Sequence, residues 1–312
     1  MSGFLHGLAT VLGNDSFYRN AVVLAVVLLL AASGELVAER AGTINISLEG
    51  MMLAGGFAAA LGAHWVHSTW VGLVAAMAAG AVVAVVQANL SHRLPADQFV
   101  VGLVLNVLVL GLVGFLTSEI SPQSRTVRRL GVPVLSHIPK LGPALFDQPW
   151  VLYVVYPVVP SIGWLLYRTR WGLSVRAAGE DPNAADVSGI DVNAVRRRAI
   201  MLAGVMGGLA GGYLLFARAG RFEDSLIGGR GFVAIAAVIF GGWTLKGTVA
   251  GCSLFGMVVS LALTIPGLGF TAIDDAWLKI APNALTILVM ALYATRVRQP
   301  AALARPFSRG LR

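Results

Sequence analysis

Nine mostly apolar stretches, each near bilayer-crossing length, constrain this chain more than any other feature. A helix of roughly 20 residues crosses a hydrocarbon core about 30 Å thick. The stretches lie near 20–34, 47–63, 70–90, 98–118, 150–167, 199–217, 231–244, 248–265 and 280–295. With 57% hydrophobic and only 12% charged residues, too few polar faces remain to cover them all in water. The sequence therefore predicts an all-α, polytopic integral membrane protein with about nine transmembrane helices (eight to ten), some of them short or broken.

Basic residues predict the orientation of the chain. The segment 168–198 carries six arginines and the tail 296–312 carries five, so the positive-inside rule places both in the cytoplasm. Four predicted spans separate them, and an even number returns the chain to the same side. We therefore expect a small N-terminal extension (1–19), one transmembrane domain (20–295) and a cytoplasmic basic tail. The net charge of +8 is explained in the same way, without nucleic-acid binding.

A polar insertion, "ELVAERAGTINISLEG", separates the first two apolar stretches. An ionised side chain at the centre of a bilayer costs about 2.5–3.5 kcal/mol on insertion scales, so such groups pair or face water. One interpretation is a structural ion pair or polar helix end, and another is an unwound segment that lines a substrate path. The ion-pair candidates are Glu35, Glu39 and Arg40; the substrate-path candidates are Asn45, Ser47, Glu49 and, in a later span, Asn106.

A second polar insertion lies within 168–198 and combines two short amphipathic pieces with a turn. Asp181 before Pro182 is a stop-and-turn signal, and we expect Asn183 to cap a helix that begins at Ala184. No pair of residues there is typical of acid–base catalysis. A compact loop with short helices suits a surface that receives force from a partner protein.

The remaining motifs predict no catalytic residue and no metal site. "GGWTLKGT" fails the phosphate-loop pattern because its lysine precedes the second glycine, and Cys252 is the single cysteine. His64 and His67 lack a third ligand nearby. The tryptophans at predicted membrane edges, Trp243 among them, are typical of an aromatic belt.

Three motifs together resemble the permease subunits of ABC importers for branched-chain amino acids, simple sugars and nucleosides. They are "GELVAERAGTINISLEGMMLAGGFAAALGA", "VRAAGEDPNAADVSGIDVNAVR" and "GRGFVAIAAVIFGGWTLKGTVAGCSLFG". They occur in the family's order, and the resemblance covers roughly Gly34 to Tyr293. The form of the first motif is most similar to the nucleoside branch, which is also described as simple-sugar permeases. Thr43 and Ser47 depart from the small apolar and glycine residues expected at their positions.

The resemblance implies a bacterial plasma-membrane complex of two permeases and two ATPase subunits, fed by an extracytoplasmic solute-binding lipoprotein. ATP would be bound by the partner, so this chain would need no cofactor and would not be an enzyme. The second permease would be a different but related chain. The segment 168–198 would be the coupling loop, with an ATPase contact patch formed by Arg176, Gly179, Glu180, Asp181 and Asn183. The alternatives are a branched-chain amino acid permease and an ion-coupled secondary transporter.

Overall fold

The computed structural model describes residues 11–267, 280–281, 284–285, 287–288, 291 and 298–307, except residues 12, 95, 123, 134 and 140. Most of the predicted extension 1–19 and most of the ninth predicted span, 280–295, therefore lie outside the described residues.

Helices dominate the described residues. They are α1 (Asp15–Arg40), α2 (Leu48–Val66), α3 (Thr69–His92), α4 (Gln98–Ile120), α5 (Leu141–Phe146), α6 (Trp150–Val155), α7 (Val158–Arg168), α8 (Arg170–Glu180), α9 (Pro182–Val187), α10 (Val192–Leu214), α11 (Arg230–Phe240) and α12 (Leu245–Gly267). A π-helical turn, Leu215–Ala219, continues α10, and short 3-10 turns lie at Leu135–His137 and Asp224–Leu226.

Six helical segments among the described residues are long and apolar enough to cross a membrane. They are Asp15–Arg40, Thr69–His92, Gln98–Ile120, Trp150–Arg168, Val192–Ala219 and Leu245–Pro266. The prediction of an all-α, polytopic membrane protein is thus confirmed. The expected short segments are present as well, because α11 has only 11 residues, about half of what a bilayer needs.

Polar residues in the sequence set where several helices begin. The Asn14 side chain accepts a hydrogen bond from the Ser16 N–H at the start of α1. Asp97 accepts from two N–H groups at the start of α4, and Asp191 accepts from the Ala194 N–H in α10. Each cap satisfies an N–H group that the helix itself leaves without a partner.

Helix α10 lies in the centre and packs against α1, α2 and α3. Glycine allows this close approach: a Cβ atom on Gly208 would overlap the Ala76 carbonyl of α3, and one on Gly211 would overlap the Met52 carbonyl of α2. In the most apolar part of each helix, 83% of the residues are buried in α10 and only 22% in α4. The core therefore lies around α10, while α4 leaves most of its apolar surface uncovered.

The two ends of the bundle differ. At the end we call the sheet end, β1 (Arg129–Gly131) and β2 (Asp147–Pro149) pair antiparallel with Leu130 opposite Gln148. Arg19 near the start of α1 forms a 2.7 Å ion pair with Asp147 there. At the opposite end, which we call the loop end, α1 finishes beside α8.

Candidate translocation and coupling site

Residues 41–47, which we call the break, separate α1 from α2. Gly42 at φ 86° turns the chain out of α1, and residues 43–45 have no regular secondary structure. Of the two interpretations of the polar insertion, the unwound segment at "TINIS" is the one whose backbone form the structure has. Backbone groups freed from a helix at membrane depth need partners inside the protein.

Side chains from α3 and α4 supply several of those partners. The side-chain oxygen of Gln98, Oε1, accepts hydrogen bonds from the Ile44 N–H (2.9 Å) and the Thr43 hydroxyl (3.0 Å). His92 Nε2 lies 3.0 Å from the same hydroxyl. Thr43, Gln98 and His92 are all buried. The first half of the break is therefore held by neighbouring helices.

Asn106 of α4 holds the second half of the break. Its Nδ2 donates to the Ile46 carbonyl at 2.8 Å, and its Oδ1 accepts from the Gly50 N–H at 2.8 Å. The side chain is half-buried. One amide group thus bonds both sides of the point where α2 begins.

Asn45 and Ser47 are fully buried in this conformation. The Ser47 hydroxyl donates to Asn45 Oδ1 at 2.9 Å, and the Asn45 side-chain N–H group donates to the Met51 sulfur at 3.4 Å. The Asn45 backbone N–H donates to Glu35 Oε1 at 3.2 Å, while Glu35 Oε2 is buried without a hydrogen-bond partner. Both predicted path residues therefore brace the break itself here.

Glu49, at the start of α2, connects the break to α11. Its two carboxylate oxygens accept from the Gly229 N–H at 2.7 Å and the Gly231 N–H at 2.6 Å. A carboxylate at a helix N-terminus satisfies free N–H groups and complements the helix dipole. A Cβ atom on Gly231 would come within 2.7 Å of the Glu49 backbone, so the two helix starts are in direct contact.

The three ion-pair candidates were expected to pair with one another, but in the structure each has a different partner. Glu35 bonds the break, Glu39 accepts a short hydrogen bond from the Trp243 indole, and Arg40 lies 3.8 Å from Glu180. The fixed geometry of α1 is the reason. Its Glu39 side chain faces the buried turn after α11, whereas Arg40 lies at the helix end beside α8. Trp243, expected in an aromatic belt, is only 4% exposed.

The segment 168–198, which the resemblance identifies as a coupling loop and which we call by that name, contains α8 and α9, joined at Asp181. Asp181 is extended, and its side chain accepts from the Asn183 and Ala184 N–H groups, each at 3.0 Å. The predicted turn is thus present, but Asp181 rather than Asn183 caps the second helix. Pro182 explains the difference: proline favours the first helical position, so the cap is Asp181, two residues before Asn183.

The five predicted contact residues fall into two groups. Glu180, Asp181 and Asn183 are exposed, and Arg176 is half-buried with its guanidinium 5.9 Å from the centre of the Tyr167 ring. Gly179 instead is buried, and a Cβ atom there would overlap the Arg40 carbonyl. Gly179 therefore forms a tight joint between α8 and the end of α1, and it has no surface to offer a partner.

Sequence reasoning missed three residues of this site: Gln98, Trp243 and Arg196. Gln98 could have been found as a polar residue in the first turn of a very apolar helix. Arg196 was counted among the six loop arginines, but it is 0% exposed. Its burial has no signal in the sequence, because Arg197 and Arg198 follow it directly.

The structure also places the histidine pair and the "GGWTLKGT" motif of the sequence. Within the part of the chain that the structure describes, no group of three or more His, Cys, Asp or Glu residues is arranged to hold a metal ion. His64 and His67 are exposed at the sheet end. The "GGWTLKGT" motif forms the turn between α11 and α12 and the start of α12.

The fold and the site define a class: a polytopic α-helical membrane protein in which a break between two helices contacts a helical loop at one end of the bundle. A family model described as branched-chain amino acid transport system, permease component, matches residues 17–294. The chain belongs to this family.

Two relatives illustrate the similarity. The guanosine ABC transporter permease protein NupQ of Bacillus subtilis is 34% identical over 93% of this chain and 96% of its own length. The nucleoside ABC transporter permease protein NupC of Lactococcus lactis is 34% identical over 91% of this chain and 93% of its own length. Both alignments therefore include the break and the coupling loop.

A solved structure shares the fold at much lower sequence identity. A chain of PsaBC from Streptococcus pneumoniae in complex with Fab matches with a TM-score of 0.51 and 13% identity. The match covers 88% of this chain and 91% of that chain. At this identity the likeness concerns the fold alone.

Proposed function

We propose that this chain is the permease subunit of an ATP-driven importer that moves nucleosides, with simple sugars as the second solute class. The observation that carries the proposal is the contact between the coupling loop and the break. Gly179 of α8 packs on the backbone of Arg40, immediately before the break, and Arg40 pairs with the exposed Glu180. The family membership and the two nucleoside-permease relatives support the solute class.

Separate ATPase subunits would bind and hydrolyse the ATP, and this chain would supply the passage. Closure of the ATPase pair would push on Glu180, Asp181 and Asn183 at the exposed surface of the coupling loop. Because Gly179 leaves no gap beside α1, the push would reach the break with little loss. The other partners would be a related permease and an extracytoplasmic binding lipoprotein.

The break would then move as one unit with α2 and α11. Glu49 links these two helix starts, and Asn106 links the break and the start of α2 to α4. We assign Asn45, Ser47 and Glu49 to holding the shape of the path. Half-buried Asn106 is the candidate for direct solute contact as the cavity between two permeases changes sides.

The tail supports the proposed orientation. The Ala302 N–H donates to the Gly179 carbonyl at 2.9 Å, so residues 298–307 and the coupling loop lie on the same side of the bundle. The arginine content of both segments supports the assignment of that side to the cytoplasm of a bacterial plasma membrane.

Reconstituted transport tests the function. The four-subunit complex in liposomes, supplied with binding protein and ATP, should accumulate uridine faster than ribose and should not accumulate leucine. Omission of the ATPase subunits should abolish uptake. Uridine uptake by the permeases alone, driven by an ion gradient, would establish the secondary-transporter alternative and contradict the proposal.

Charge reversal at Glu180 tests the coupling assignment. Glu180→Arg should raise the ATP hydrolysed per uridine transported, because the exposed carboxylate would be replaced by a cation that also repels Arg40. Glu180→Gln is the matched control that removes the charge without reversing it, and it should have a smaller effect. An unchanged ratio in Glu180→Arg would remove Glu180 from the contact patch.

A further inference from the structure

Residues 298–307, which we call the strap, cross the loop end of the bundle. The Ala302 N–H donates to the Gly179 carbonyl of α8 at 2.9 Å. Two residues later, the Ala304 N–H donates to the Gly42 carbonyl of the break at 3.2 Å. The strap therefore bonds both the coupling loop and the break, which are remote from it in sequence.

Arg196, in α10, forms hydrogen bonds with the same elements and with the strap itself. Its guanidinium donates to the carbonyls of Ala41 at the end of α1 (3.1 Å) and of Arg305 in the strap (2.7 Å). Two longer hydrogen bonds reach Ala302 (3.4 Å) and Ala178 of α8 (3.5 Å). Carbonyls at helix C-terminal ends attract a cation, so α1 and α8 both hold this side chain in place.

The four hydrogen-bond acceptors of the Arg196 guanidinium given above are backbone carbonyls, not carboxylates. Neither of the two ion pairs among the described residues includes it, although it is 0% exposed. A buried charge needs several well-placed hydrogen bonds. Here, backbone carbonyls of α1, α8 and the strap provide them, so the position of Arg196 depends on all three being in contact.

The strap also contributes to the surface around the coupling loop. A cavity of about 370 Å³ lies between the strap and the α8–α9 junction. Both sides contribute polar, charged or aromatic side chains: Glu180, Asp181 and Asn183 from the loop, and Arg305 and Phe307 from the strap. This cavity opens on the surface that carries the exposed contact residues. A protein that docks on α9 would therefore also meet the strap.

We infer that the strap is a working part of the coupling apparatus: it forms one wall of the ATPase-docking surface and, through Arg196, fixes the coupling loop to the break. This inference rests on the proposed function. Without the strap, Arg196 would lose two of its four carbonyl partners, and α8 would be held to the end of α1 only by the Gly179 joint, the Arg40–Glu180 pair and the two remaining hydrogen bonds of Arg196. A stroke on α9 would then tilt the loop without carrying the break along.

A pair of substitutions at Ala304 tests the mechanical role. Ala304 is exposed and adopts φ 62°, a backbone conformation that glycine accepts and proline cannot. Ala304→Pro also removes the N–H that bonds Gly42. In the reconstituted complex, Ala304→Pro should raise the ATP hydrolysed per uridine transported by at least about fivefold, a typical loss of coupling between sites. Ala304→Gly should couple at least as tightly as the wild type.

The outcomes separate the two proposals. If the wild-type complex does not transport uridine, the proposed function fails. If the wild type transports and Ala304→Pro keeps the wild-type ratio, the strap inference fails.

If the complex with Ala304→Pro does not assemble, a second measurement tests whether the strap contacts the ATPase subunit. A photo-crosslinking amino acid at exposed Ala301 in the otherwise wild-type complex should form an adduct with the ATPase subunit, as should one at Val187 in α9. The same probe at Leu130, at the sheet end, is the control and should form none. An adduct at Val187 without one at Ala301 would overturn the docking role of the strap.

Discussion

The break and the coupling loop are the two polar interruptions of an otherwise apolar chain, yet the fold uses them in opposite ways. In the break, Thr43, Asn45 and Ser47 are fully buried and bonded to neighbouring groups. In the coupling loop, Asn183 is exposed and Val187 is 90% exposed. The break has its polar groups satisfied inside the protein, whereas the loop leaves these side chains exposed.

This difference shows that polar density inside a membrane sequence does not by itself identify solute contacts. Backbone that leaves a helix at membrane depth needs hydrogen bonds, and the polar side chains nearby are used first for that purpose. A loop in water has no such need, so its side chains remain available. Substitutions should therefore change stability in the break and coupling in the loop.

The largest effect on stability is expected at Glu49, because its carboxylate joins the start of α2, next to the break, to the start of α11. Glu49→Ala leaves the Gly229 and Gly231 N–H groups without an acceptor. An unsatisfied buried donor costs about 1–3 kcal/mol, so the two together should cost about 2–6 kcal/mol. Thermal unfolding of the detergent-purified protein measures this loss, and uridine uptake should disappear with it.

Glu49→Gln is the matched variant for that experiment. It keeps the shape and one acceptor oxygen, so we expect roughly half of the destabilisation of Glu49→Ala. Equal stability of Glu49→Ala and the wild type would show that the break is not held by this carboxylate. The contrast between break and loop would then lose its main support.

A smaller effect is expected at Gly179, where the two regions touch. Gly179→Ala would place a methyl group against the Arg40 carbonyl, and overpacking of this kind costs about 1–3 kcal/mol. We expect lower thermal stability together with slower uptake, because the joint between loop and α1 would open. Gly111→Ala in α4 is the control, since nothing lies within 4 Å of a Cβ atom there. If both variants behave alike, the joint does not transmit motion.

The smallest change in stability is expected at Val187. Val187→Ser alters a side chain that is 90% exposed, so the free energy of unfolding should change by less than about 0.5 kcal/mol. Binding of the ATPase subunits, measured by co-purification at increasing salt, should nevertheless weaken, because Val187 lies in α9 on the proposed docking surface. Leu130→Ser at the sheet end should leave that binding unchanged. Equal binding by both variants would contradict the role of α9 as the docking helix.

Individual residues show where sequence reasoning reached its limit. The turn at Asp181 was predictable because proline and a capping residue act over three or four positions. The burial of Gly179 and the bond between Trp243 and Glu39 were not, since each depends on a helix from a distant part of the chain. Arg196 is the extreme case, because its neighbours Arg197 and Arg198 have the same chemistry and a different environment.

The sequence by itself determined the class of protein, the places where its helices begin and break, and the side of the bundle on which its arginines gather. Those properties follow from local hydropathy, capping and charge, which a short window of residues contains. Only the tertiary structure decided which polar groups are satisfied inside the protein and which face a partner. A hydrogen bond such as that of Glu49 with Gly229 joins residues 180 positions apart, and no local pattern specifies it.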